Sequence, residues 1–308
     1  MRLDFKGKYL GCLIGSALGD AIGELAFRFP DRNRLESAVK QAKILHYTDD
    51  TAMALGLAES LAERGLLDQE HLGRIFHRNF FNEPWRGYAA GPPTVFKAVQ
   101  GTGISFVEAA RRLFGGTGSF GNGAAMRVAP LGLFFHDSPN LYEQAAASAA
   151  VTHAHPLGRD GAAVQALAVA QALKLDPEKP FPLEDFLKDL LAGARTQEMR
   201  EKLQILRDLL VSAVPAGEAA RTLGRSVAVH ESLPFALFAF LSHPRAYPDC
   251  LWCAVLNGGD RDTLGAMAGA VSGAYLGLAA IPPEWQEKLE NREVIERAAL
   301  ALLKRTAP

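Results

Sequence analysis

Two short acidic clusters, far apart in the sequence, have the composition of a cation-binding site. One is Thr48-Asp49-Asp50-Thr51, the other is Gly258-Gly259-Asp260-Arg261-Asp262-Thr263, and each directly precedes an apolar pattern of helical spacing. A single aspartate or threonine in such a place caps a helix, but paired carboxylates with neighbouring hydroxyls exceed what a cap requires. Oxygen ligands of this kind suit Mg²⁺, Mn²⁺ or Ca²⁺. Either cluster alone is weak evidence, whereas together they predict that four carboxylates converge on two divalent ions.

A glycine-rich loop between the two clusters, from Phe114 to Gly123, could bind an anion. It presents backbone N–H groups, and Ala124–Arg127 after it is expected to open a helix whose dipole favours negative charge. The loop matches neither the Walker pattern nor the dinucleotide-binding fingerprint, and a plain flexible loop is the alternative interpretation. Phe114 and Phe120 favour a ligand, because both rings could stack on a base.

The elements that must position these residues are helices. Ala and Leu dominate the chain, apolar residues recur at helical spacing, and strand-type alternation is scarce. Glycine and proline separate the helical patterns, and no linker divides the chain. We therefore predict an all-α fold in which residues 1–308 form a single domain. The helical patterns cover Thr51–Arg64, Ser105–Leu113, Asp160–Leu173, Leu183–Leu191, Gln197–Val211 and Glu287–Lys304.

Two of the predicted helices carry stripes of glycine. The glycines recur every four residues, which places them on nearly the same face of a helix. Glycine inside a helix costs about 1 kcal/mol relative to alanine, so the stripes predict close backbone approach by a neighbouring element. They consist of Gly11, Gly15, Gly19 and Gly23 in the first helix and of Gly265, Gly269, Gly273 and Gly277 in the second.

Composition and charge exclude several classes of protein. The formal net charge of −1 and the isoelectric point of about 6.7 give no electrostatic basis for binding nucleic acid or an anionic membrane. With 48% hydrophobic residues the chain is too apolar for disorder, and three cysteines cannot form a framework of several disulfides. The apolar segment Tyr9–Leu18 imitates a secretory signal but has Asp4 and Asp20 beside it, and Leu264–Ile281 is rich in Ala and Gly, as in a buried core helix. We expect a cytoplasmic monomer.

Three smaller signals have mainly structural interpretations. Cys250 and Cys253 form a lone Cys-x-x-Cys and are interpreted as two buried thiols on a helix. His155 is interpreted as structural. Arg127 could form a buried ion pair or contact a phosphate, and the sequence leaves both alternatives open.

Six segments of the sequence, in order along nearly the whole chain, resemble the ADP-ribosylhydrolase (ADP-ribosylglycohydrolase) family. The motifs Tyr-Thr-Asp-Asp-Thr-Ala-Met, Arg-Gly-Tyr-x-x-Gly, Ser-Phe-Gly-Asn-Gly-Ala-Ala-Met-Arg-Val-Ala and Gly-Gly-Asp-x-Asp-Thr are most similar to the branch that removes ADP-ribose from serine. The segments are Gly15–Gly23, Tyr47–Leu57, Arg86–Lys97, Gly118–Val128, Thr152–Ala168 and Gly258–Gly277.

The resemblance implies an all-α orthogonal helical bundle with a centre of two Mg²⁺ ions, or Mn²⁺ in some members. It assigns the metal to the two acidic clusters, through Thr48, Asp49, Asp50, Asp260, Asp262 and Thr263. It places Gly87 and Gly91 in a loop that closes over the distal ribose. The diphosphate and adenosine would contact Gly118, Ser119, Phe120, Gly121 and Asn122, with Phe114 and His153 nearby.

The chain departs from this family at one catalytic position. The serine-specific branch carries a flap glutamate four residues after the glycine that matches Gly23, and Phe27 stands there in this sequence. Glu24 is the nearest carboxylate and could replace it if the lid bends differently; otherwise Asp49 or Asp50 must transfer the proton.

The resulting functional expectation is hydrolysis of the C1″ glycosidic bond of an ADP-ribosyl group. The substrate would be a protein ADP-ribosylated on serine, the small conjugate O-acetyl-ADP-ribose, or the polymer poly-ADP-ribose. Three alternatives remain open from the sequence: hydrolysis of ADP-ribosyl-arginine, metal-dependent hydrolysis of a nucleotide diphosphate, and non-catalytic binding of ADP-ribose.

Overall fold

The computed structural model describes residues 3–306, and it is built from helices. No strand longer than an isolated bridge occurs in that range, which confirms the all-α prediction. Two short 3-10 helices cover Asn122–Ala124 and Leu278–Ala280. The α-helices are α1 (Phe5–Arg28), α2 (Arg32–Gln41), α3 (Asp49–Arg64), α4 (Gln69–Asn82), α5 (Gly91–Thr102), α6 (Phe106–Arg111), α7 (Leu113–Gly116), α8 (Ala129–Phe134), α9 (Leu141–Ala150), α10 (Pro156–Lys174), α11 (Leu183–Gly193), α12 (Gln197–Val211), α13 (Ala216–Leu223), α14 (Val229–Ser242), α15 (Tyr247–Leu256), α16 (Arg261–Leu276), α17 (Pro283–Lys288) and α18 (Arg292–Thr306).

The centre of the molecule is the antiparallel pair α1 and α16, which meet along their glycine stripes. A Cβ atom added at Gly15 would lie 2.6 Å from the Gly269 carbonyl oxygen, and one added at Gly11 would lie 2.6 Å from the Gly273 carbonyl oxygen. No side chain fits between backbones at that separation. The prediction of close backbone approach is therefore confirmed, and each stripe has the other as its partner.

Helix α1 is long and apolar enough to cross a membrane, with a mean hydropathy of 1.4 in its most apolar window, but 83% of that window is buried inside the fold. Residues 263–275 of α16 are all buried as well. Both apolar segments singled out in the sequence are thus core helices of this structure.

Both acidic clusters stand at helix starts, as predicted. Thr48 is the N-cap of α3 and accepts a hydrogen bond from the Asp50 N–H at 3.4 Å. Asp260 is the N-cap residue of α16, but its carboxylate makes no capping bond, so its oxygens are available to other partners. Gly258 and Gly259, with φ of +82° and +78°, form the tight turn before it, which glycine adopts without steric strain.

Two helical predictions were wrong in detail. The pattern Glu287–Lys304 is broken between α17 and α18, because Leu289 pairs with Leu45 and Asn291 adopts a φ of +52°. Ala124–Arg127 does not open an α-helix: a 3-10 turn and a further turn precede α8, which begins at Ala129. The expected helix dipole behind the glycine-rich loop is therefore absent.

The three cysteines are buried and unpaired. Cys250 and Cys253 lie on α15, which agrees with the interpretation of two buried thiols, and burial raises the pKa of Cys253 to about 12.

Candidate active site

A cavity of about 250 Å³ brings together both acidic clusters and the glycine-rich loop. A larger cavity, of about 460 Å³, lies between α3, α4 and α18, but it contains none of the predicted site residues. The predicted residues that line the smaller cavity are Asp49, Asp50, Gly87, Gly91, Phe114, Ser119, Gly121, Asn122, His153, Asp260, Asp262 and Thr263. Four others, Thr48, Gly118, Phe120 and Glu24, are not in its lining.

The two acidic clusters meet directly. The Thr263 hydroxyl on α16 lies 3.3 Å from Oδ2 of Asp50 on α3. Oδ1 of Asp50 is buried and has no hydrogen-bond partner in the described part of the chain. On the other side, Asn122 of the glycine-rich loop donates its amide hydrogen to Oδ2 of Asp260 at 2.7 Å. The loop is thereby bonded to the second cluster.

Burial and mutual repulsion make this group of carboxylates hard to ionise. Burial, and then the charge of Asp20, raise the pKa of Asp49 to about 7. Burial, and then the charge of Asp260, raise the pKa of Asp262 to about 8. The same effects raise the pKa of Asp50 well above its ordinary value. The cavity wall therefore concentrates negative potential that protons or cations must neutralise.

The carboxylate and hydroxyl oxygens of the cavity suit divalent ions in their chemistry, although they do not surround an ion on all sides. Among residues 3–306 no three His, Cys, Asp or Glu side chains are gathered tightly enough to hold an ion by themselves. Mg²⁺ does not need such a cage, because it commonly keeps several water ligands and binds through one or two carboxylates. The unpartnered Oδ1 of Asp50 is a buried oxygen that a cation would satisfy.

Sequence reasoning missed Asp20, which is fully buried on α1 behind the first cluster. Its carboxylate accepts hydrogen bonds from the Thr48 N–H and hydroxyl, at 3.0 and 2.8 Å, and from the Thr51 N–H and hydroxyl, at 3.1 and 2.6 Å. These bonds fix the backbone that carries Asp49 and Asp50. The hydroxyls of Thr48 and Thr51 are accordingly directed to Asp20. An aspartate in the middle of a largely apolar, glycine-striped segment was the signal that could have identified it.

A second missed element is the segment Arg225–Val229, which links the glycine-rich loop to the second acidic cluster. The Asn122 N–H donates to the Val227 carbonyl at 2.8 Å, and the Val229 N–H donates to the Phe120 carbonyl at 3.1 Å. The Asp260 N–H donates to the Arg225 carbonyl at 2.9 Å. All three bonds use backbone groups of this segment, so its side chains carried no signal in the sequence.

The aromatic rings of the glycine-rich loop have different positions. Phe114 is 63% exposed, lines the cavity and has a φ of +52°. Phe120 packs edge-on against His155, with ring centroids 5.4 Å apart, outside the cavity lining. Gly118 likewise lies against the backbone of Ala154 and His155. Only Phe114 is placed to stack on a ligand in this cavity.

A further wall of the cavity, formed by residues 87–92, is held in place by a buried arginine. The Arg86 guanidinium donates to Glu290 at 2.7 Å, to Glu83 at 3.1 Å and to the Tyr47 carbonyl at 3.0 Å. It also lies over the Tyr47 ring, 4.2 Å from its centroid. Since Tyr47 precedes the first acidic cluster and Gly87 follows Arg86, this arginine sets the distance between the wall and the cluster.

His153 is buried in the cavity wall, whereas the guanidinium of Arg127 is buried among uncharged hydrogen-bond partners. Arg127 has no ion pair in the described residues; it donates to the Gly123 carbonyl at 2.9 Å and to the Thr152 hydroxyl at 2.8 Å. It does not line the cavity. The buried ion pair considered from the sequence is thus wrong, because carbonyl and hydroxyl oxygens satisfy the guanidinium.

Glu24 is exposed, on the last turns of α1, and is absent from the cavity lining. Helix α1 continues without a break to Arg28, and Gly23 packs against the backbone of Arg261 and Asp262. Phe27 is exposed as well. For Glu24 to reach the carboxylates, the end of α1 would have to unwind.

Comparison with known proteins agrees with this architecture along the whole chain. The chain is similar to human ADP-ribosylhydrolase ARH3, with 34% identity over 340 aligned residues that cover 96% of this chain and 92% of the other. It is also similar to the uncharacterized protein YegU of Escherichia coli strain K12, with 30% identity and 96% of both chains covered. A solved structure described as an ADP-ribosylglycohydrolase-related protein complex superposes with a TM-score of 0.72 and 25% identity over 99% of both chains. The sequence model of the ADP-ribosylglycohydrolase family matches residues 1–308, and the chain therefore belongs to the ADP-ribosylglycohydrolase family.

Proposed function

We propose that this hydrolase releases ADP-ribose from O-linked conjugates, such as ADP-ribosyl-serine in proteins, O-acetyl-ADP-ribose or poly-ADP-ribose, by cleaving the C1″ glycosidic bond. The observation that carries the proposal is the single cavity lined by two acidic helix starts, the glycine-rich loop and His153. Its similarity to ADP-ribosylhydrolase ARH3 over 96% of the chain supports the same substrate class. We propose that it acts on these conjugates as a monomer.

We propose further that the site works with two divalent ions, Mg²⁺ or Mn²⁺. Asp49, Asp50, Asp260, Asp262 and Thr263 would hold them. The Thr48 hydroxyl donates its hydrogen to Asp20 and accepts one hydrogen bond from the Asp50 N–H, so it keeps one lone pair for a metal. Ions bound there supply Lewis acidity, which orients the ribose hydroxyls and lowers the pKa of water.

The residues of the chain would perform the remaining chemistry. A carboxylate of the first cluster, Asp49 or Asp50, would accept the proton of the water that attacks the oxocarbenium-like C1″ carbon. The bond from C1″ to the acceptor oxygen breaks in that step, and the proton would then pass to the departing acceptor oxygen. Asn122 orients Asp260 through its amide, and Phe114 is placed for stacking on the adenine.

Product analysis on a panel of defined conjugates tests the proposal. ADP-ribosyl-serine peptide, O-acetyl-ADP-ribose, poly-ADP-ribose and ADP-ribosyl-arginine would each be incubated with Mg²⁺, with Mn²⁺ and with a chelator. We expect free ADP-ribose and an intact acceptor from the O-linked substrates, with loss of activity in the chelator. Release of AMP would instead establish a diphosphate hydrolase, and unchanged conjugate with measurable binding would establish a non-catalytic ADP-ribose receptor.

A further inference from the structure

The two nitrogens of His153 have different surroundings. The side chain is buried in the cavity wall, at 4% exposure. Its Nε2 edge faces the glycine-rich loop, since a Cβ atom added at Gly123 would lie 3.0 Å from Nε2 and one added at Gly121 would lie 3.6 Å from it. Its Nδ1 lies 2.8 Å from the hydroxyl oxygen of Thr152. One nitrogen thus faces the site and the other faces the protein interior.

Arg127 determines which way the hydroxyl of Thr152 is directed. Nη2 of Arg127 lies 2.8 Å from Oγ1 of Thr152, and a guanidinium can only donate. Thr152 is fully buried, and His153 is the other hydrogen-bond partner of its hydroxyl in the described structure. If this oxygen also accepted from His153, its own hydrogen would be buried without a partner, which is unfavourable. The hydroxyl therefore donates to Nδ1.

A ring that accepts at Nδ1 and carries no charge must keep its hydrogen on Nε2. Burial, and then the nearby charge of Arg127, lower the pKa of His153 to about 3, so the ring is neutral near pH 7. Arg127 is held in place by the Gly123 carbonyl and by the face of Phe76, 4.8 Å from its centroid. The whole arrangement is therefore built into the core beneath the loop.

We propose that Arg127 and Thr152 are positioning residues that fix His153 as the neutral Nε2–H tautomer, so that its ring donates a hydrogen bond to an unprotonated oxygen of the diphosphate bound at the glycine-rich loop. The identity of that diphosphate, as part of ADP-ribose, rests on the proposed function. The tautomer does not, because it follows from contacts inside the protein.

Nitrogen NMR of the full-length protein labelled with ¹⁵N-histidine tests the tautomer directly. Two-bond ¹H–¹⁵N correlation spectra distinguish a pyrrole-type from a pyridine-type nitrogen, and the His153→Gln variant assigns the signals. We expect His153 to show a protonated Nε2 and an unprotonated Nδ1 near pH 7. A protonated Nδ1 in the wild-type protein would overturn the proposal.

Variants of Thr152 test the route from Arg127 to the ring. Thr152→Val keeps the shape of the side chain but removes the hydroxyl, so we expect a mixture of tautomers and about tenfold weaker binding of ADP-ribose in the presence of Mg²⁺. Thr152→Ser restores the hydroxyl and should return the wild-type tautomer and an affinity within about threefold of wild type. Ser148→Ala removes a buried hydroxyl that bonds to the Ala145 carbonyl nearby, and it controls for nonspecific loss of a buried polar group.

The outcomes separate this proposal from the function on which it rests. If Thr152→Val leaves both the tautomer and the affinity unchanged, or if Ser148→Ala alters the tautomer equally, the positioning role is wrong. If the wild-type tautomer is as expected but ADP-ribose does not bind, the proposed function fails and the assigned ligand fails with it, whereas the internal arrangement stands. Circular dichroism and thermal unfolding of each variant establish that the compared proteins are folded.

Discussion

At the scale of single residues, the carboxylates of the cavity determine the behaviour of the site. Asp49 and Asp50 are buried and Asp262 is partly buried; the three carboxylates repel one another and have raised pKa values. A group of buried like charges weakens the fold unless something neutralises it. Residues kept at such a cost in stability are expected to matter for activity more than for folding.

We therefore expect Asp49→Ala and Asp262→Ala to abolish turnover while leaving the fold intact. Removing one carboxylate weakens the binding of a shared cation, whereas the helices are held by apolar packing. Steady-state assays and circular dichroism measure the two effects. Asp249→Ala, at an exposed position on α15, is the matched control and should be fully active. Metal-dependent activity retained in both cavity variants would contradict the metal assignment.

For Glu24 we expect a small effect, because its side chain is exposed and lies outside the cavity lining. Glu24→Gln should change the rate by less than about threefold, as most surface substitutions do. The proton transfer then belongs to Asp49 or Asp50. A loss of about 10²- to 10⁴-fold, with unchanged ADP-ribose affinity, would show that the end of α1 unwinds and brings Glu24 to the site as a general acid–base.

At the scale of elements, replacing glycine by alanine should have opposite effects on stability inside the α1–α16 interface and outside it. Gly19→Ala would place a methyl group against the Gly265 backbone, and overpacking of this kind typically costs about 1–3 kcal/mol. Gly101, in α5, has no atom within 4 Å of an added Cβ, so Gly101→Ala should stabilise the protein by about 0.5–1 kcal/mol. Denaturant unfolding measures both. A neutral Gly19→Ala would contradict the close packing of α1 and α16.

The buried Arg86 should couple the loop wall to the first acidic cluster. Arg86→Met leaves the partly buried Glu290 with His46 as its remaining ion-pair partner in the described residues. We expect this change to lower the stability by roughly 1–3 kcal/mol and to remove the contacts that hold residues 87–92. We expect kcat/KM to fall at least tenfold at temperatures where the variant is still folded. Arg207→Met breaks an exposed pair with Glu184 and should change stability by less than about 1 kcal/mol and activity not at all. Equal activity of the two variants would show that Arg86 does not position this wall.

At the scale of the whole molecule, the raised pKa values predict how stability depends on pH. The pKa values of Asp49 and Asp262 are about 7 and about 8 in the folded chain, against about 4 when unfolded. At pH values between the unfolded and the folded pKa, the folded state binds more protons than the unfolded state does. The free energy of unfolding therefore falls as pH rises, by up to about 1.4 kcal/mol per pH unit for each group. His153 acts in the opposite direction only below about pH 6.5, the pKa of an unfolded histidine.

The metal-free protein should therefore have a lower melting temperature at pH 8 than at pH 6.5, and Mg²⁺ should raise the melting temperature more at pH 8. Thermal unfolding in chelator and in MgCl₂ measures this. Asp262→Asn removes one of the titrating groups and should flatten the dependence. A metal-free protein that gains stability between these two pH values would contradict the burial of unneutralised carboxylates.

Much of this molecule could be predicted from its sequence because the informative signals are local. Helical periodicity identified α3, α10, α11 and α12 to within a few residues, although several other helices, such as α4 and α14, match none of the predicted patterns. The two acidic motifs each lie at a helix start that the sequence marks. The sequence did not reveal Asp20, because its role depends on Thr48 and Thr51 folding against α1. Nor did it reveal the break at Leu289, which depends on pairing with Leu45, more than 200 residues away. What could not be predicted are contacts whose partners are distant in the chain and leave no pattern in it.

The α1–α16 pair has one further consequence, for how the fold is specified. Two helices that meet through bare backbone lack interlocking side chains, and glycine recurs every four residues on both. A slide of α16 by four residues, about 6 Å, would again face glycine with glycine, yet would carry Asp260 and Asp262 away from Asp49 and Asp50.

The relative position of the two acidic clusters is therefore fixed in part by contacts outside the α1–α16 interface. Tyr247, buried on α15, donates its hydroxyl hydrogen to the Gly15 carbonyl at 2.7 Å. Gln165, on α10, donates its amide hydrogen to the Met267 carbonyl at 3.0 Å. Each side chain bonds to one particular carbonyl, on α1 or on α16, and so favours one position along that helix. These side chains, neither of which lines the cavity, favour the alignment of α1 and α16 that brings the two acidic clusters together.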